Sequence, residues 1–575
     1  MKTATKDRPI RLRLPKDSAA ASALGGLDPV LARLYAARGI TAASELDLAL
    51  RQLAPVGSLG GIGRAVEILV SCKSRRVLVI GDFDADGATS TALVVRCLRD
   101  FGFVDVGYLV PNRFEYGYGL TPEIVRVAAR SSPVLLVTVD TGISSVEGVA
   151  EAGRLGMDVL ITDHHLPGSE LPAAAAMVNP NMPGSTFGSL HLAGVGVAFY
   201  VMAALGKALQ QRGADGAAKI PARYLDLVAL GTVADVVRLD QNNRILVTQG
   251  LHRIRAGKCV PGITALLELS GRQRARVRSS DLGFAIGPRL NAAGRLKDMS
   301  LGIECLLTDD PAVALRYAET LDGINSERRE IESSMRDQAF SFVDRLDETG
   351  LPSCVCVYEE SWHQGVVGLI AARVRERCHR PVIAFAREQD GQLKGSARSV
   401  PGIHIRDLLE AVSTVRPGLV PKFGGHAMAA GLSIAEHDLG DFSKLACEQL
   451  VRLYPQADFS GALVTDGDLP AASLTLGFAR ALRDAGPWGA GFPEPLWCGD
   501  FELLEQRTVG ENHLRLKVRP LDGRESLDAI AFNQAGASFR GAVRIAFHLD
   551  VNEWRGVETP QLVVEQISNL ARLAP

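Results

Sequence analysis

The 575-residue sequence lacks several features that would place it in a specialised class of protein. Its nine cysteines contain no Cys-x-x-Cys pair, and Cys354 and Cys356 lie in an apolar, strand-like run where buried thiols are usual. This argues against a cysteine zinc site and for a reducing cytoplasm. Residues 1–8 carry no apolar leader, no later run reaches about twenty apolar residues, and no tract is of low complexity, so we expect neither secretion nor a membrane span. The net charge of −2 gives no overall sign of nucleic-acid binding, so any basic surface has to be local.

A chain of this length is too long for one hydrophobic core, so we expect about three or four domains. Short helical patterns over residues 1–70 predict an N-terminal lead-in. Strands and helices alternate over residues 71–245, which predicts a mostly parallel, doubly wound α/β sheet. Apolar residues at three- and four-residue steps predict one or two long helices within a connector at 246–350, followed by a second α/β domain at 351–455. Period-two alternation over 456–575 predicts a small β-barrel, for which the OB-fold is a common solution.

An acidic hexapeptide follows the first predicted strand of the α/β region. Asp82-Phe83-Asp84-Ala85-Asp86-Gly87 comes directly after the apolar run 76–81 and before a helix-like stretch at 88–95. Three carboxylates at a strand exit repel one another unless cations offset them, and hard divalent ions prefer oxygen ligands. The alternative is an acidic loop in which an Asp caps the helix. Taken alone, the hexapeptide leaves both interpretations open.

Further acids and histidines end later apolar segments, at Asp140, at Asp163-His164-His165 and at Asp235. Because the carboxyl ends of parallel strands meet at one edge of a sheet, we expect four strand ends to deliver these groups to one site. Mixed Asp and His ligands suit Mn²⁺ better than Ca²⁺, and they suffice for two ions about 3.5 to 4 Å apart. Such a site activates water and holds a phosphoryl group, so phosphoester hydrolysis is the predicted reaction class. Taken singly, each residue is more typical of a helix cap or a satisfied core group.

Two sets of motifs carry a resemblance to a known family. Residues 82–87, 139–142 (Val-Asp-Thr-Gly) and 163–165 (Asp-His-His) resemble the motifs of the DHH phosphoesterase superfamily. Residues 110–120, 287–296 and 362–368 make the chain similar, more narrowly, to the RecJ family of single-strand-specific 5′ to 3′ DNA exonucleases. The resemblance covers residues from about 70 to 432. It implies two α/β domains joined by a long helix, a DHH catalytic domain at 71–245 and a DHH-associated nucleic-acid-binding domain at 351–455, with an OB-fold domain at 456–575.

The resemblance also implies the roles of individual residues. It assigns two Mn²⁺ or Mg²⁺ ions to the metal ligands Asp82, Asp84, Asp86, Asp140, His164 and Asp235. Asp140 is the expected bridging ligand, and His165 is expected to face the scissile phosphate, so these two are the catalytic candidates. Many superfamily members have a His at the position of Ile80, and here Asp82 is the substitute ligand. Asp163 is a candidate to orient a neighbouring ligand.

Cationic side chains in small-residue motifs are the candidates for phosphate binding. Arg113, Arg289 and Arg398 lie in Gly- or Pro-rich motifs, and a guanidinium fits an oxyanion bidentately. Small residues around Ser396 would let a phosphate approach the backbone. The glycine-rich stretch around His426 permits the same, although a tight turn with a helix start is its alternative. The resemblance implies that this domain binds the strand and its 5′-terminal phosphate, whereas charge alone indicates only an anion site.

The tail interleaves basic and aromatic residues, as OB-folds that hold single strands do. These are Arg507, Arg515, Lys517, Arg519 and Arg524, with Phe532, Phe539 and Phe547. The alternative is that half of the aromatics form the barrel core and the basic residues form a solvated face.

The resemblance thus implies a cytoplasmic, Mn²⁺- or Mg²⁺-dependent exonuclease that hydrolyses single-stranded DNA from its 5′ end to mononucleotides, in recombination and repair. A single-strand-binding protein and a RecQ-type helicase are partners implied by the family alone, and no membrane is expected. One alternative is a phosphodiesterase of small substrates such as dinucleotides, which needs only the two α/β domains. Another is a catalytically silent DNA-binding scaffold. The lead-in and the β-rich tail count against the first, and the intact Asp and His set counts against the second.

Overall fold

The structure is a computed structural model that describes residues 8–15, 17, 20–111, 119–347, 350–388 and 391–570. The chain folds into two compact units, one formed by residues 11–322 with 464–575 and the other by residues 323–463 with 8–10. Within the described ranges, no single helix is long and apolar enough to cross a membrane. The helical segments Leu50–Ser58 and Ile62–Ser71, which are bent by 81° relative to each other, reach that length and composition only as a pair.

The N-terminal segment contains short elements, namely β1 (Ile10–Leu12), α1 (Ala20–Ala23), α2 (Pro29–Ala36) and α3 (Ile62–Ser71). Asp28 caps α2 by accepting the amide of Val30 at 2.8 Å, and Pro29 occupies the first helical position. The helical pattern at 42–52 forms two 3₁₀ turns instead of one α-helix. Arg38 pairs with the buried Asp466 at 2.8 Å, so the lead-in and the start of the tail are joined within the first unit.

The first sheet has five parallel strands, and its elements alternate as predicted. They are β2 (Arg76–Gly81), α4 (Ala85–Asp100), β3 (Asp105–Leu109), α5 (Pro122–Ala129), β4 (Leu135–Val139), α6 (Val146–Arg154), β5 (Asp158–Thr162) and β6 (Ala176–Val178). The strand order is β3-β2-β4-β5-β6, with every pair parallel. The chain reverses its direction of travel between β2 and β4, and the carboxyl ends of strands at such a switch point form a crevice.

Helices follow the first sheet. They are α7 (Gly194–Gln211), α8 (Leu225–Ala234), α9 (Gln241–Arg255), α10 (Pro261–Leu269), α11 (Ser279–Asp281), a π-helix (Leu282–Ile286), α12 (Gly287–Leu296) and α13 (Ser300–Leu307). The expectation that Asp235 follows a strand is wrong, because the apolar run before it belongs to α8. A helix that is apolar on all sides lacks the 3.6-residue period, so periodicity alone cannot distinguish it from a buried strand.

The predicted long helix is α14 (Pro311–Asp347), which has 37 residues and so spans about 55 Å. It begins in the first unit and ends in the second. The second unit then adds β7 (Val355–Tyr358), α15 (Val367–Cys378), β8 (Val382–Arg387), β9 (Gln392–Arg398), α16 (Ile405–Val415), β10 (Lys422–Gly425), β11 (Ala429–Ala435) and α17 (Leu439–Leu453).

The second sheet is mixed, with the order β10-β11-β9-β8-β7. Its β7–β8 pair is parallel and the other pairs are antiparallel. The glycine-rich stretch around His426 forms the turn of the β10–β11 hairpin. The alternative of a helix start at this stretch is therefore wrong, because a strand follows the turn.

The tail forms the predicted barrel. Its elements are β12 (Leu463–Thr465), α18 (Leu476–Asp484), β13 (Trp497–Val509), β14 (His513–Pro520), β15 (Leu527–Ala531), β16 (Ala542–Trp554) and β17 (Val557–Asn569). The closed barrel runs β13-β14-β15-β17-β16. Phe547 lies fully buried in its core against Phe501, so it cannot stack a base, whereas Phe532 is exposed.

Candidate metal centre

The exit of β2 is a tight acidic turn. Asp84 caps α4, and its Oδ1 accepts the amides of Asp86 at 2.9 Å and Gly87 at 3.0 Å. A Cβ at Gly87 would lie 2.5 Å from the carbonyl oxygen of Asp82, so only glycine allows the turn to close this tightly. The capped turn and the metal site, which were alternatives in the sequence, are therefore compatible. Asp84 caps the helix, and Asp82, Asp84 and Asp86 lie close together in the same turn.

Asp86 lies in the first turn of α4 and is buried. Its two carboxylate oxygens accept the amides of Gly194 at 2.6 Å and Val195 at 3.0 Å, which are the first residues of α7. The positive end of the α7 dipole therefore faces this carboxylate. Burial and the neighbouring Asp84 nevertheless raise the pKa of Asp86 to about 7.

Asp140 follows β4 in the left-handed region, with φ of 61°, which Asp tolerates better than most residues. A Cβ at Gly194 would lie 2.5 Å from both Cβ and Oδ1 of Asp140, so α7 approaches the carboxylate through a glycine. Within the part of the chain that the structure describes, the buried Oδ1 of Asp140 accepts no hydrogen bond. Burial, followed by the carboxylates of Asp86 and Asp84, raises the pKa of Asp140 well above its usual range.

Asp163, at the end of β5, organises the two histidines that follow it. Its Oδ1 accepts the amides of His164 at 2.7 Å and His165 at 3.1 Å, and it lies 2.8 Å from Nδ1 of His165. Its Oδ2 accepts the amide of Ile143 at 2.9 Å. Burial alone would raise the pKa of Asp163, but the His165 side chain and these amides together lower it. Asp163 therefore fixes the ring of His165 and the backbone of both histidines.

Asp235 is the C-cap of α8, so it joins the Asp and His side chains of the centre from a helix and not from a strand of the sheet. Its Oδ2 lies 3.5 Å from Nε2 of His164, and the same nitrogen lies 3.2 Å from Oδ1 of Asp140. Burial, followed by Asp86 and Asp84, raises the pKa of Asp235 well above its usual range. One imidazole nitrogen thus lies between two carboxylates that come from different elements.

The donor atoms form three overlapping groups, in each of which one atom per residue lies within 4.8 Å of the others. The groups are Asp140 with His164 and His165, Asp86 with His164 and Asp235, and Asp82 with Asp84 and Asp140. The structure thus brings together all six residues predicted as metal ligands, and also His165. Carboxylate oxygens with imidazole nitrogens suit Mn²⁺ and Mg²⁺. Burial and mutual repulsion raise the pKa of Asp86, Asp140 and Asp235 and so disfavour their charged forms, and a bound cation would favour those forms again.

Two asparagines that sequence reasoning missed hold the histidine segment in place. Nδ2 of Asn179 donates to the carbonyl of His165 at 2.8 Å, and Nδ2 of Asn181 donates to that of His164 at 2.6 Å. Both residues follow β6, whose three residues are too few for a strand pattern. The Asn-Pro-Asn sequence after an apolar triplet was the available signal.

Residues 287–296 support the acidic turn from the other side. Oδ1 of Asn291 accepts the amide of Ala85 at 2.8 Å, and a Cβ at Gly294 would lie 1.8 Å from the carbonyl oxygen of Phe83. Arg289, predicted to bind phosphate, is buried. It donates to Oδ1 of Asp322 and to the carbonyl of Ala285, so its phosphate role stays a prediction. Arg113 lies outside the described residues.

The second unit places the other predicted phosphate ligands on one sheet. In β9, Nη1 of Arg398 donates to Oγ of Ser396 at 3.0 Å. A Cβ at Gly368, in the first turn of α15, would lie 3.0 Å from both groups. Burial, followed by the nearby Arg375, lowers the pKa of Arg398, and no ion pair holds Arg398 within the described segments. Arg398 pairs in register with Ala429 of β11, and the amide of the exposed His426 donates to the carbonyl of Ala429 at 2.8 Å.

Comparison with protein families gives three matches along the chain. The model described as "DHH family, N-terminal domain" matches residues 76–232, the DHHA1 domain matches 351–452, and the RecJ OB domain matches 465–566. The first two ranges contain the first and the second sheet, and the third contains the barrel except for the last three residues of β17.

Curated relatives and solved structures extend this likeness. The chain is 53% identical to the single-stranded-DNA-specific exonuclease RecJ of Dickeya dadantii (strain 3937), over 94% of this chain and 96% of the relative. It matches the crystal structure of RecJ in complex with Mn²⁺ from Thermus thermophilus with a TM-score of 0.83 and 28% identity, over 99% of this chain and 81% of that one. The Mg²⁺ complex from the same organism matches with a TM-score of 0.76 and 27% identity, over 99% and 80%.

Proposed function

Since the chain belongs to the RecJ family, we propose that it is a metal-dependent exonuclease that degrades single-stranded DNA from the 5′ end to mononucleotides. The likeness to the relatives covers nearly the whole of both chains, which supports the substrate class. The observation that carries the proposal is the set of overlapping donor groups, in which Asp140 and His164 each belong to two groups. The 5′ to 3′ direction is proposed from the family resemblance alone.

We propose two Mn²⁺ or Mg²⁺ ions as cofactors, because the donor groups share Asp140 and His164. Asp82, Asp84, Asp86 and Asp235 would complete the ligands. When bound, the ions would acidify a water and offset the negative charge that develops on the phosphoryl group. The α7 amides keep Asp86 aimed at the centre, and the glycine at 194 leaves room for Asp140.

His165 is the proposed donor to the scissile phosphate. Burial lowers its pKa, but Asp163, Asp82 and Asp84 outweigh burial and raise the pKa above its usual value. The hydrogen bond from Nδ1 to Asp163 fixes the ring, which leaves Nε2 to hold a proton toward a phosphate oxygen. Asn179 fixes the backbone on which this ring stands.

The 5′-terminal phosphate is proposed to bind in the second unit, at Ser396 and Arg398. The guanidinium of Arg398 is half-buried, has no ion pair within the described residues and lies near Arg375. Such a group favours an oxyanion with two or more acceptor atoms. The first turn of α15 and the turn at His426 are proposed to contribute to the same site. Single-strand-binding protein and a RecQ-type helicase as partners, and a role in recombination and repair, are proposed from the family alone. A cytoplasmic location is proposed because all nine cysteines are free thiols.

The test is metal-dependent nucleotide release from a long, 5′-phosphorylated single strand that carries a label at one end. We expect mononucleotides from the 5′ end with Mn²⁺ and none with chelator, and we expect an equivalent duplex to resist. Asp140→Ala and His165→Ala should abolish release while strand binding survives. Activity confined to a dinucleotide would favour the small-substrate phosphodiesterase, and binding without metal-dependent release would favour the silent scaffold. Normal digestion by both variants would refute the site assignment.

A further inference from the structure

Exposed apolar side chains border the acidic centre. Val236 directly follows Asp235 and is 70% exposed, and Leu166 directly follows His165 and is 55% exposed. Consecutive Cα atoms lie about 3.8 Å apart, so both side chains start next to a residue of the centre. A third large side chain, Phe284, is 83% exposed. Single exposed apolar residues are ordinary, but Val236 and Leu166 each directly follow a residue of the charged site.

The position of Phe284 follows from how its segment packs. The π-helix Leu282–Ile286 lies against the last turn of α8, because a Cβ at Gly283 would lie 3.2 Å from Cγ1 of Val233, and one at Gly287 would lie 3.4 Å from Cβ of Ala234. Asp235 is the next residue after that turn. Leu282 and Ile286 are fully buried, whereas Phe284 between them points outward. Single π-turns of this kind occur frequently at functional sites.

Val236 is held outward by a strained backbone. Its φ of 60° is unfavourable for a β-branched residue. Such strain persists only where the surrounding structure imposes it, and it is concentrated at active sites and ligand clamps. The chain thus accepts an unfavourable conformation at the residue that leads from Asp235 to an exposed apolar surface.

We propose that Phe284, together with Val236 and Leu166, forms an apolar platform that binds one of the two nucleobases on either side of the scissile phosphate. The inference rests on the proposed nuclease function. Apolar side chains offer nothing to a phosphate, but an aromatic ring stacks on the flat face of any base. A base within a duplex is already stacked and paired, so the platform can take only an unpaired base. It would therefore contribute to selectivity for single strands and be indifferent to sequence.

The test compares Phe284→Ala with the unmodified protein on three single strands. One strand is intact, and the others carry an abasic residue at the first or the second position from the 5′ end. We expect Phe284→Ala to lower kcat/KM on the intact strand by about 10-fold to 100-fold. On one of the abasic strands, variant and unmodified protein should agree within about twofold, because the partner of the ring is missing. Phe284→Trp should retain most of the activity on the intact strand.

Trp554→Ala is the matched control, because Trp554 is an aromatic residue with 70% exposure at the tip of the β16–β17 hairpin. It should behave as the unmodified protein does on all three strands. An equal loss by Phe284→Ala on all three strands would overturn the inference, since the residue would then only position Asp235. Full activity on the intact strand would also overturn it, and would leave the apolar surface to a protein partner. If the unmodified protein itself releases no nucleotide, the proposed function fails and the inference fails with it.

Discussion

The two units each hold a group of like charges, carboxylates in the first unit and arginines in the second. In the first unit, carboxylates lie together at the carboxyl edge of a parallel sheet, and burial with the neighbouring carboxylates raises the pKa of Asp140 and of Asp235. In the second unit, Arg398 lies beside Arg375 on a mixed sheet, and burial with this second cation lowers the pKa of Arg398. The carboxylates of the first unit are suited to binding cations, and the arginines of the second unit are suited to binding an anion.

Compensated charges elsewhere in the first unit show the contrast. Arg38 pairs with Asp466 at 2.8 Å with both side chains buried, and Arg289 pairs with Asp322 at 2.8 Å. Removing one partner of such a pair leaves a buried charge alone and destabilises the fold. Removing one carboxylate from the acidic cluster relieves repulsion instead. The sign of the stability change upon neutralisation therefore separates ligand-binding charge from structural charge.

Asp140→Asn is expected to have the largest effect. Asparagine tolerates the positive φ and keeps the shape, but it removes one negative charge and one ligand oxygen. We expect nuclease activity to fall by about three orders of magnitude or more, while the metal-free protein becomes more stable because repulsion among the acids is relieved. Activity assays with Mn²⁺ and thermal unfolding with chelator measure the two. Asp158→Asn, at the exposed opposite end of β5, should change neither. A loss of stability in Asp140→Asn would show that repulsion among the acids does not destabilise the metal-free protein.

Gly194→Ala tests the closeness of α7 to the centre. The added Cβ would lie 2.5 Å from the Asp140 side chain, so either α7 or Asp140 has to move. We expect about a 100-fold loss of activity and a destabilisation of about 1 to 3 kcal/mol. Gly153→Ala in α6 is the control, because a Cβ there meets nothing within 4 Å, and it should be neutral or stabilising by about 0.5 to 1 kcal/mol. Equal behaviour of the two variants in denaturant unfolding would rule out the close packing.

Arg398→Ala addresses the cationic cluster. We expect the preference for a 5′-phosphorylated strand over a 5′-hydroxyl strand to fall by about 10-fold, with little change in stability, because no ion pair is broken. Arg398→Lys should restore it only in part, because an ammonium lacks the planar fork. Arg373→Ala, which breaks pairs with Glu332 and Glu376, is the paired-arginine control and should leave the preference intact. Competition between the two strands for cleavage gives the ratio, and an unchanged ratio in Arg398→Ala would place the 5′ phosphate elsewhere.

Asn179→Ala should have a smaller effect on the acidic centre. It removes the donor to the carbonyl of His165 but no residue of the donor groups. Partners of this kind usually change activity or metal affinity by about 10-fold to 100-fold. We expect a loss in that range, together with a higher Mn²⁺ requirement in a metal titration of the rate. Activity at the level of the unmodified protein would show that the histidine segment holds its position without Asn179.

The acidic cluster was predictable from sequence because its ligands recur at segment ends. Asp82, Asp84 and Asp86 follow β2, Asp140 follows β4 and the histidines follow β5, so a local pattern repeated along the chain pointed to one edge of a sheet. The barrel and the long helix were likewise visible in their periodicities.

Features that depend on packing between distant segments were not predictable in this way. The run before Asp235 is apolar on all sides and so gave no sign of being a helix. The partners of Arg289 and the glycine contact at 194 depend on approaches between segments that are far apart in the sequence. A single sequence shows which side chains are charged, but not which of them the fold compensates.

Asp226→Asn is expected to have the smallest effect on activity, because Asp226 is a buried acid of the first unit that lies outside the donor groups. Asp226 is fully buried, burial raises its pKa to about 6, and its Oδ2 accepts the amide of Val260 at 2.8 Å. Because the folded protein holds the proton more tightly than the unfolded chain, the contribution of Asp226 to stability is present below about pH 4 and is lost as the pH rises to about 6. Between about pH 4 and 6, the free energy of unfolding of the variant should rise by about 2 to 3 kcal/mol relative to that of the unmodified protein. Above that range the difference between the two should stay constant. Denaturant unfolding at several pH values measures the difference. Mn²⁺ should leave this difference unchanged, since Asp226 belongs to none of the donor groups, and a difference that vanished with Mn²⁺ would place Asp226 within the metal centre.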